Sequence, residues 1–113
     1  MLQRIRAERH GALMERLRRG IRAVQREHGP TNGEVLLFGS LARGDWDGFT
    51  DVDLLVIAEE RTEAEALADA LLSAGLGDDV LAFDRRGWER RCATSPQWQA
   101  IAREALPLME AQS

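Results

Sequence analysis

Lysine and tyrosine are both absent from this 113-residue chain, and cysteine occurs once. The lone Cys92 has no second thiol with which to form an internal disulfide, which fits a cytoplasmic protein. No histidine stands near it in sequence, so it reads as a small, partly buried residue rather than a catalytic thiol. No apolar run approaches the ~20 residues that a membrane-spanning helix requires. The opening MLQRIRAERH has no apolar core that could act as a secretory signal. A membrane partner is therefore not expected. Missing lysine is a matter of genome composition and carries no functional weight.

The rest of the composition is ordinary for a globular protein, at 44% hydrophobic and 30% charged residues. The length suits one compact domain over residues 1–113, with a single core and little stability to spare. A net charge of −4 conceals a polarity along the chain. Residues 1–28 hold eight arginines against three glutamates, a balance of +5, which leaves −9 for the remainder. A basic segment of this kind could meet nucleic acid, an acidic partner or the acidic half of its own domain. A solvated helix face is the simplest reading. Basic and aromatic residues do not interleave along it, which argues against nucleic acid.

Periodicity divides the chain into short elements. Leu13, Leu17, Ile21 and Val24 form one stripe of a helix over about 2–27, with Arg18, Arg22 and Arg26 opposite. Gly29-Pro30 and Asn32-Gly33 end it. Residues 34–38 are an apolar run bounded by glycines, hence a buried strand. Residues 51–57 form a second strand, in which Val52, Leu54 and Val56 face one side and Asp53, Leu55 and Ile57 the other. Thr62 and Glu65 match a capping box that opens a helix to about Ala74, closed at Gly75. Residues 79–83 make a third strand, Trp88 to Cys92 a helical turn, and Ser95-Pro96 starts a last helix reaching about Ala105. This order points to a small α/β or α+β domain, one mixed β-sheet flanked by helices, with a long amino-terminal helix.

The chemistry concentrates in FGSLARGDWDGFTDVDLLVI, from Phe38 to Ile57. A glycine after an apolar strand lets the backbone turn sharply and lets a ligand approach without meeting a Cβ. With the Ser40 hydroxyl and the free N–H groups of a helix start, Gly39 makes a natural anion site, although Ser40 as a plain N-cap is an equal reading. Asp51 and Asp53 project from one face of their strand. Two such carboxylates repel unless a cation lies between them, and oxygen-only ligands suit Mg²⁺ or Mn²⁺. Asp79, at the start of the third strand, could complete a two-metal site, whereas Asp78 would point to the opposite face. Trp46 and Phe49 read as loop aromatics over the core edge or as a base-stacking platform. Asp45, Asp47, His10 and His28 read as solvated, and Trp88 and Trp98 as core or interface anchors.

Gly39-Ser40, Arg43-Gly44 and Asp51-Val52-Asp53-Leu54 together resemble the GSxxRG…[ST]DxDL signature of the DNA polymerase β-like nucleotidyltransferases. The short chain looks like the minimal nucleotidyltransferases (MNT), the MntA-type antitoxins of HEPN/MNT pairs. Trp88-Glu89-Arg90-Arg91, Ser95-Pro96-Gln97-Trp98 and Ile101-Ala102-Arg103-Glu104 are similar to the tail that many members carry. Thr50 departs from the more usual serine, and the basic amino-terminal helix is not explained by the motif.

This resemblance implies specific roles. Gly39 and Ser40 would hold the β- and γ-phosphates of a nucleoside triphosphate. Asp51 and Asp53 would bind two Mg²⁺ ions, with Mn²⁺ possible, and Asp79 would be the third carboxylate, assisting deprotonation of the acceptor. Arg43 would lie near the phosphates or pin its helix to the sheet. The reaction would pass AMP from ATP to a hydroxyl on a partner HEPN toxin. In the antitoxin branch the acceptor is a tyrosine, so a chain with no tyrosine needs its acceptor in trans. Two other readings stand beside this one: an interaction module with a vestigial site, and a small-molecule nucleotidyltransferase working as an oligomer or with a partner subunit.

Overall fold

Glu34–Phe38 (β1) and Asp53–Ala58 (β2) run antiparallel, with Glu34 opposite Ile57 and Phe38 opposite Asp53. They form the middle of a four-stranded mixed sheet. The structure is a computed structural model that describes residues 2–28, 33–39, 42–43 and 51–109, with the backbone alone for 2–10 and 28. The remaining elements are α1 (Leu2–His28), α2 (Arg61–Ser73), β3 (Asp79–Asp84), α3 (Arg85–Thr94), α4 (Pro96–Glu104) and β4 (Leu106–Met109). The strand order is β3-β2-β1-β4. β3 lies parallel to β2, with α2 as the crossover, and β4 lies antiparallel to β1.

Side-chain alternation along β2 divides the interior into two layers. Leu54, Val56 and Ala58 join Val35 and Leu37 of β1 in one core, closed by Ala64, Leu67, Ala68 and Leu71 of α2 and by Met14, Ile21 and Val24 of α1. Leu55 and Ile57 are equally buried and face the other layer, where α3 and α4 lie against the sheet. A central strand covered on both faces needs this doubly apolar sequence. On the second face Phe83 meets Trp88 and Trp98, with ring centroids 5.6 to 5.8 Å apart, so the two tryptophans do anchor α3 and α4 to β3. Arg85 ties the start of α3 to Glu34 of β1 at 3.2 Å and to Glu59 beyond β2 at 3.1 Å.

α1 follows the expected stripe with one shift. Leu17, Ile21 and Val24 are buried, but the fourth buried member is Met14, and Leu13 is only half-buried. Arg22 and Arg26 are exposed, while Arg18 is half-buried. The capping box at Thr62 does not form. α2 begins two residues earlier than that box requires, at Arg61, and its N-cap Glu60 makes no side-chain cap hydrogen bond. Glu65 is instead engaged by Arg61 Nε at 3.0 Å, one turn back. The other end behaves as expected: Gly75 has φ +71°, its N–H donates to Leu72 O, and Leu76 N–H donates to Leu71 O.

α3 is a full helix rather than a single turn, because Asp84 caps it by accepting from Gly87 N–H at 2.6 Å. α4 starts where Ser95-Pro96 places it, with Ser95 Oγ accepting from Trp98 N–H. β4 is absent from the sequence reading. Its Pro107 cannot donate to a ladder, and it is tolerated because β4 is an edge strand whose register against β1 shifts between Val35 and Leu36. No described helix is long and apolar enough to cross a membrane.

Candidate active site

At the end of β1 the chain turns at Gly39, whose φ of +79° lies in the left-handed region that glycine favours. A Cβ at this position would sit 2.6 Å from Asp53 Oδ2. Glycine is therefore required twice over, by its dihedral and by the carboxylate pressed against it. Gly39 O accepts from Arg43 N–H at 3.2 Å, closing one helical turn.

Asp53 opens β2 and has Phe38 as its neighbour on β1 and Asp79 on β3. Paired residues of adjacent strands share a face, so Asp53 and Asp79 stand side by side. Asp51 lies two residues before Asp53 and is exposed. Burial first, and then the fields of Asp79, Asp51 and Asp78, push the Asp53 carboxyl above its ordinary 3.8. The structure thus places Asp79 beside Asp53, while Asp51, expected on the same strand, precedes β2 and bears on Asp53 through its charge.

Asp78 belongs to this mouth in a way that sequence parity missed. Its Oδ2 accepts from Val52 N–H at 2.7 Å, while Asp78 N–H and Asp79 N–H both donate to Val52 O, at 2.8 and 3.3 Å. These bonds lock the entry of β2 to the entry of β3 and hold Asp53 level with Asp79. Arg43 reaches Glu104 of α4 at 3.5 Å, a pairing 61 residues apart that no local pattern announces. Ser40, Gly44, Asp45, Trp46, Asp47, Phe49 and Thr50 lie outside the described residues, as do the side chains of His10 and His28. Cys92 is half-buried, as expected.

Among the described residues, no group of three or more His, Cys, Asp or Glu side chains is drawn close enough to hold a metal ion. The donor chemistry still suits a hard dication. The partly desolvated Asp53 carboxylate faces three like charges, and a divalent cation among oxygen ligands relieves that repulsion.

Residues 17–91, from within α1 through β1, β2, α2 and β3 into α3, match the sequence model of the family described as nucleotidyltransferase domain. Comparison with curated proteins gives no match. Among solved structures, the "Crystal structure of the toxin-antitoxin with AMP-PNP" is similar at 23% identity with a TM-score of 0.51, over 84% of this chain and 74% of that one. At that identity the likeness speaks for the fold alone. The family match spans well over half of the 113 residues, and the chain belongs to the nucleotidyltransferase domain family.

Proposed function

We propose that this chain is a metal-dependent nucleotidyltransferase that passes AMP from ATP to a hydroxyl on a partner protein, a HEPN-type toxin that it neutralises. One observation carries the reading: Asp53 and Asp79 pair laterally across β2 and β3, beside a glycine turn that leaves room at the Asp53 carboxylate. The toxin partner and the adenine nucleotide are supported by the similar solved structure, a toxin–antitoxin with AMP-PNP.

Asp51, Asp53 and Asp79 would hold the divalent ions, Mg²⁺ or Mn²⁺, which when bound stabilise charge on the attacking and leaving oxygens. Gly39 and Ser40 bind the β- and γ-phosphates through backbone N–H groups and the serine hydroxyl. Arg43 steadies the turn after Gly39, its guanidinium shared with Glu104. Asp79, exposed at the start of β3, accepts the proton of the acceptor hydroxyl. The freed oxygen bonds to the α-phosphorus, the bond from that phosphorus to the bridging oxygen breaks, and pyrophosphate leaves. Because the chain has no tyrosine, a tyrosine acceptor belongs to another molecule.

The test is transfer of label from ATP labelled at the α-phosphate, with Mg²⁺, to the protein encoded by the adjacent gene. Asp51→Asn and Asp53→Asn should each lower transfer by about 10²–10³-fold, the range for losing one preorganised electrostatic partner, and both should abolish neutralisation. Absence of label on every protein offered would sink the proposal. Neutralisation that survives in both variants would establish binding alone as the antitoxin mechanism.

A further inference from the structure

The two edges of the sheet differ in a way that the proposed reaction does not explain. β4 is blunted as natural edges are, by Pro107 and an irregular register. β3 has neither device. Between Asp79 and Asp84 it reads Val80-Leu81-Ala82-Phe83, with no proline and no charge, and it is the outermost strand among the described residues. Leu81 is 38% exposed, on the same face as Asp79 and Phe83. Among the described residues this edge is apolar, regular and unprotected, and such an edge is a template for another strand.

The far end of that edge opens into a cleft of about 310 Å³ lined by Ala82, Phe83 and Asp84 of β3 and by Arg61, Arg90, Arg91 and Thr94. Consecutive strand residues face opposite sides of the sheet, and β2 fills the inner side. A cavity touched by all three must therefore lie at the outer edge. Its three arginines come from the start of α2 and from α3. Arg91 stands over the Phe83 ring, 5.4 Å from its centroid, and Arg61 bonds Glu65. The Arg90 side chain has no partner among the described residues. Asp84 is occupied in capping Gly87. The cleft therefore presents more positive charge than it neutralises.

We propose that the free edge of β3 receives an extended, acidic segment of the acceptor protein as an added strand, with a carboxylate in the Arg90–Arg91 cleft and the acceptor hydroxyl at Asp79. The inference rests on the nucleotidyl-transfer reading for the role of that hydroxyl. Asp79 and Phe83 are four residues apart and share a face, so the segment carries its carboxylate four residues from its hydroxyl. Main-chain hydrogen bonds to β3 supply affinity, and the arginine cleft sets the register. A second copy of this chain paired along β3 would cover Asp79 and shut out any acceptor, which is why a partner segment is the occupant.

Two β-prone nonapeptides test this, each with a central tyrosine and differing only in having glutamate or lysine four residues to either side of it, so that both strand directions are covered. Binding is read without ATP, by fluorescence anisotropy and by amide shifts in ¹⁵N spectra. The glutamate peptide should bind about tenfold more tightly, the scale of one charge-assisted contact, and move the amides of Val80 to Asp84. Arg90→Glu should reverse the preference, a result that misfolding cannot imitate. Equal binding of both peptides, no binding of either, shifts away from β3, or a dimer formed through β3 would each overturn the proposal. Charge-selective binding with no transfer to tyrosine in Mg²⁺ and ATP would keep the docking edge and reject the transfer reading. Transfer with no charge preference would do the reverse.

Discussion

At Gly39 the backbone dihedral and the neighbouring carboxylate make the same demand. Gly39→Ala forces a side chain into φ +79° and places its Cβ 2.6 Å from Asp53 Oδ2. A loss of about 1–3 kcal/mol is expected from such a strained position, read from urea midpoints, and transfer should fall as Asp53 is displaced. An unchanged midpoint would contradict the geometry. At Asp53 the sign of the pH effect follows from its raised carboxyl. The folded state holds that proton more tightly than the unfolded one, so this contribution is full below about 3.8 and is lost as pH climbs through the raised value. In EDTA near pH 7, Asp53→Asn should therefore be at least as stable as the parent, and its stability should lack that decline. A variant less stable than the parent at every pH would refute the assignment. The lateral pairing of Asp53 with Asp79 was legible because each carboxylate opens an apolar run, whereas Asp51, expected on the same strand, precedes β2, which starts only at Asp53. The role of Asp78 was not, because its bond to Val52 depends on how β2 and β3 align.

Among the elements, α1 offers the clearest separation of packing from charge. Ile21 has no exposed surface, and Arg22 beside it is exposed. Ile21→Ala should cost about 2–5 kcal/mol, the range for truncating a buried aliphatic side chain. Arg22→Ala should stay within about 0.5 kcal/mol, as surface changes do. Comparable losses for the two in thermal unfolding would mean that α1 is held by its charge and not by its apolar stripe. Strands β1, β2 and β3 could be read from sequence because each carries its own apolar pattern between turn signals. The cap of α2 could not, because Glu65 had a competing partner in Arg61. β4 could not either, since Leu106-Pro107-Leu108-Met109 has no strand pattern of its own and owes its conformation to the open edge of β1.

Over the whole molecule, the proposed site is a seam rather than a pocket within one element. Gly39 follows β1, Asp53 starts β2 and Asp79 starts β3, all at one end of the sheet, so one ligand touching all three ties three adjacent strands together. The carboxylates repel one another in the free protein, and the seam is therefore where the fold has stability to gain. A ligand that binds only the folded state stabilises it by about 2.7 kcal/mol at a hundred times its dissociation constant. Mg²⁺ with a non-hydrolysable ATP analogue should raise the melting temperature of the parent in proportion to the logarithm of its concentration. Asp53→Asn should abolish most of that rise while keeping or improving the melting temperature without ligand. This crossing of the two effects distinguishes a metal–nucleotide site from a structural aspartate, whose loss would lower the melting temperature with and without ligand alike. If the parent and Asp53→Asn rise equally, the nucleotide is held elsewhere and the seam between β1, β2 and β3 is not its site.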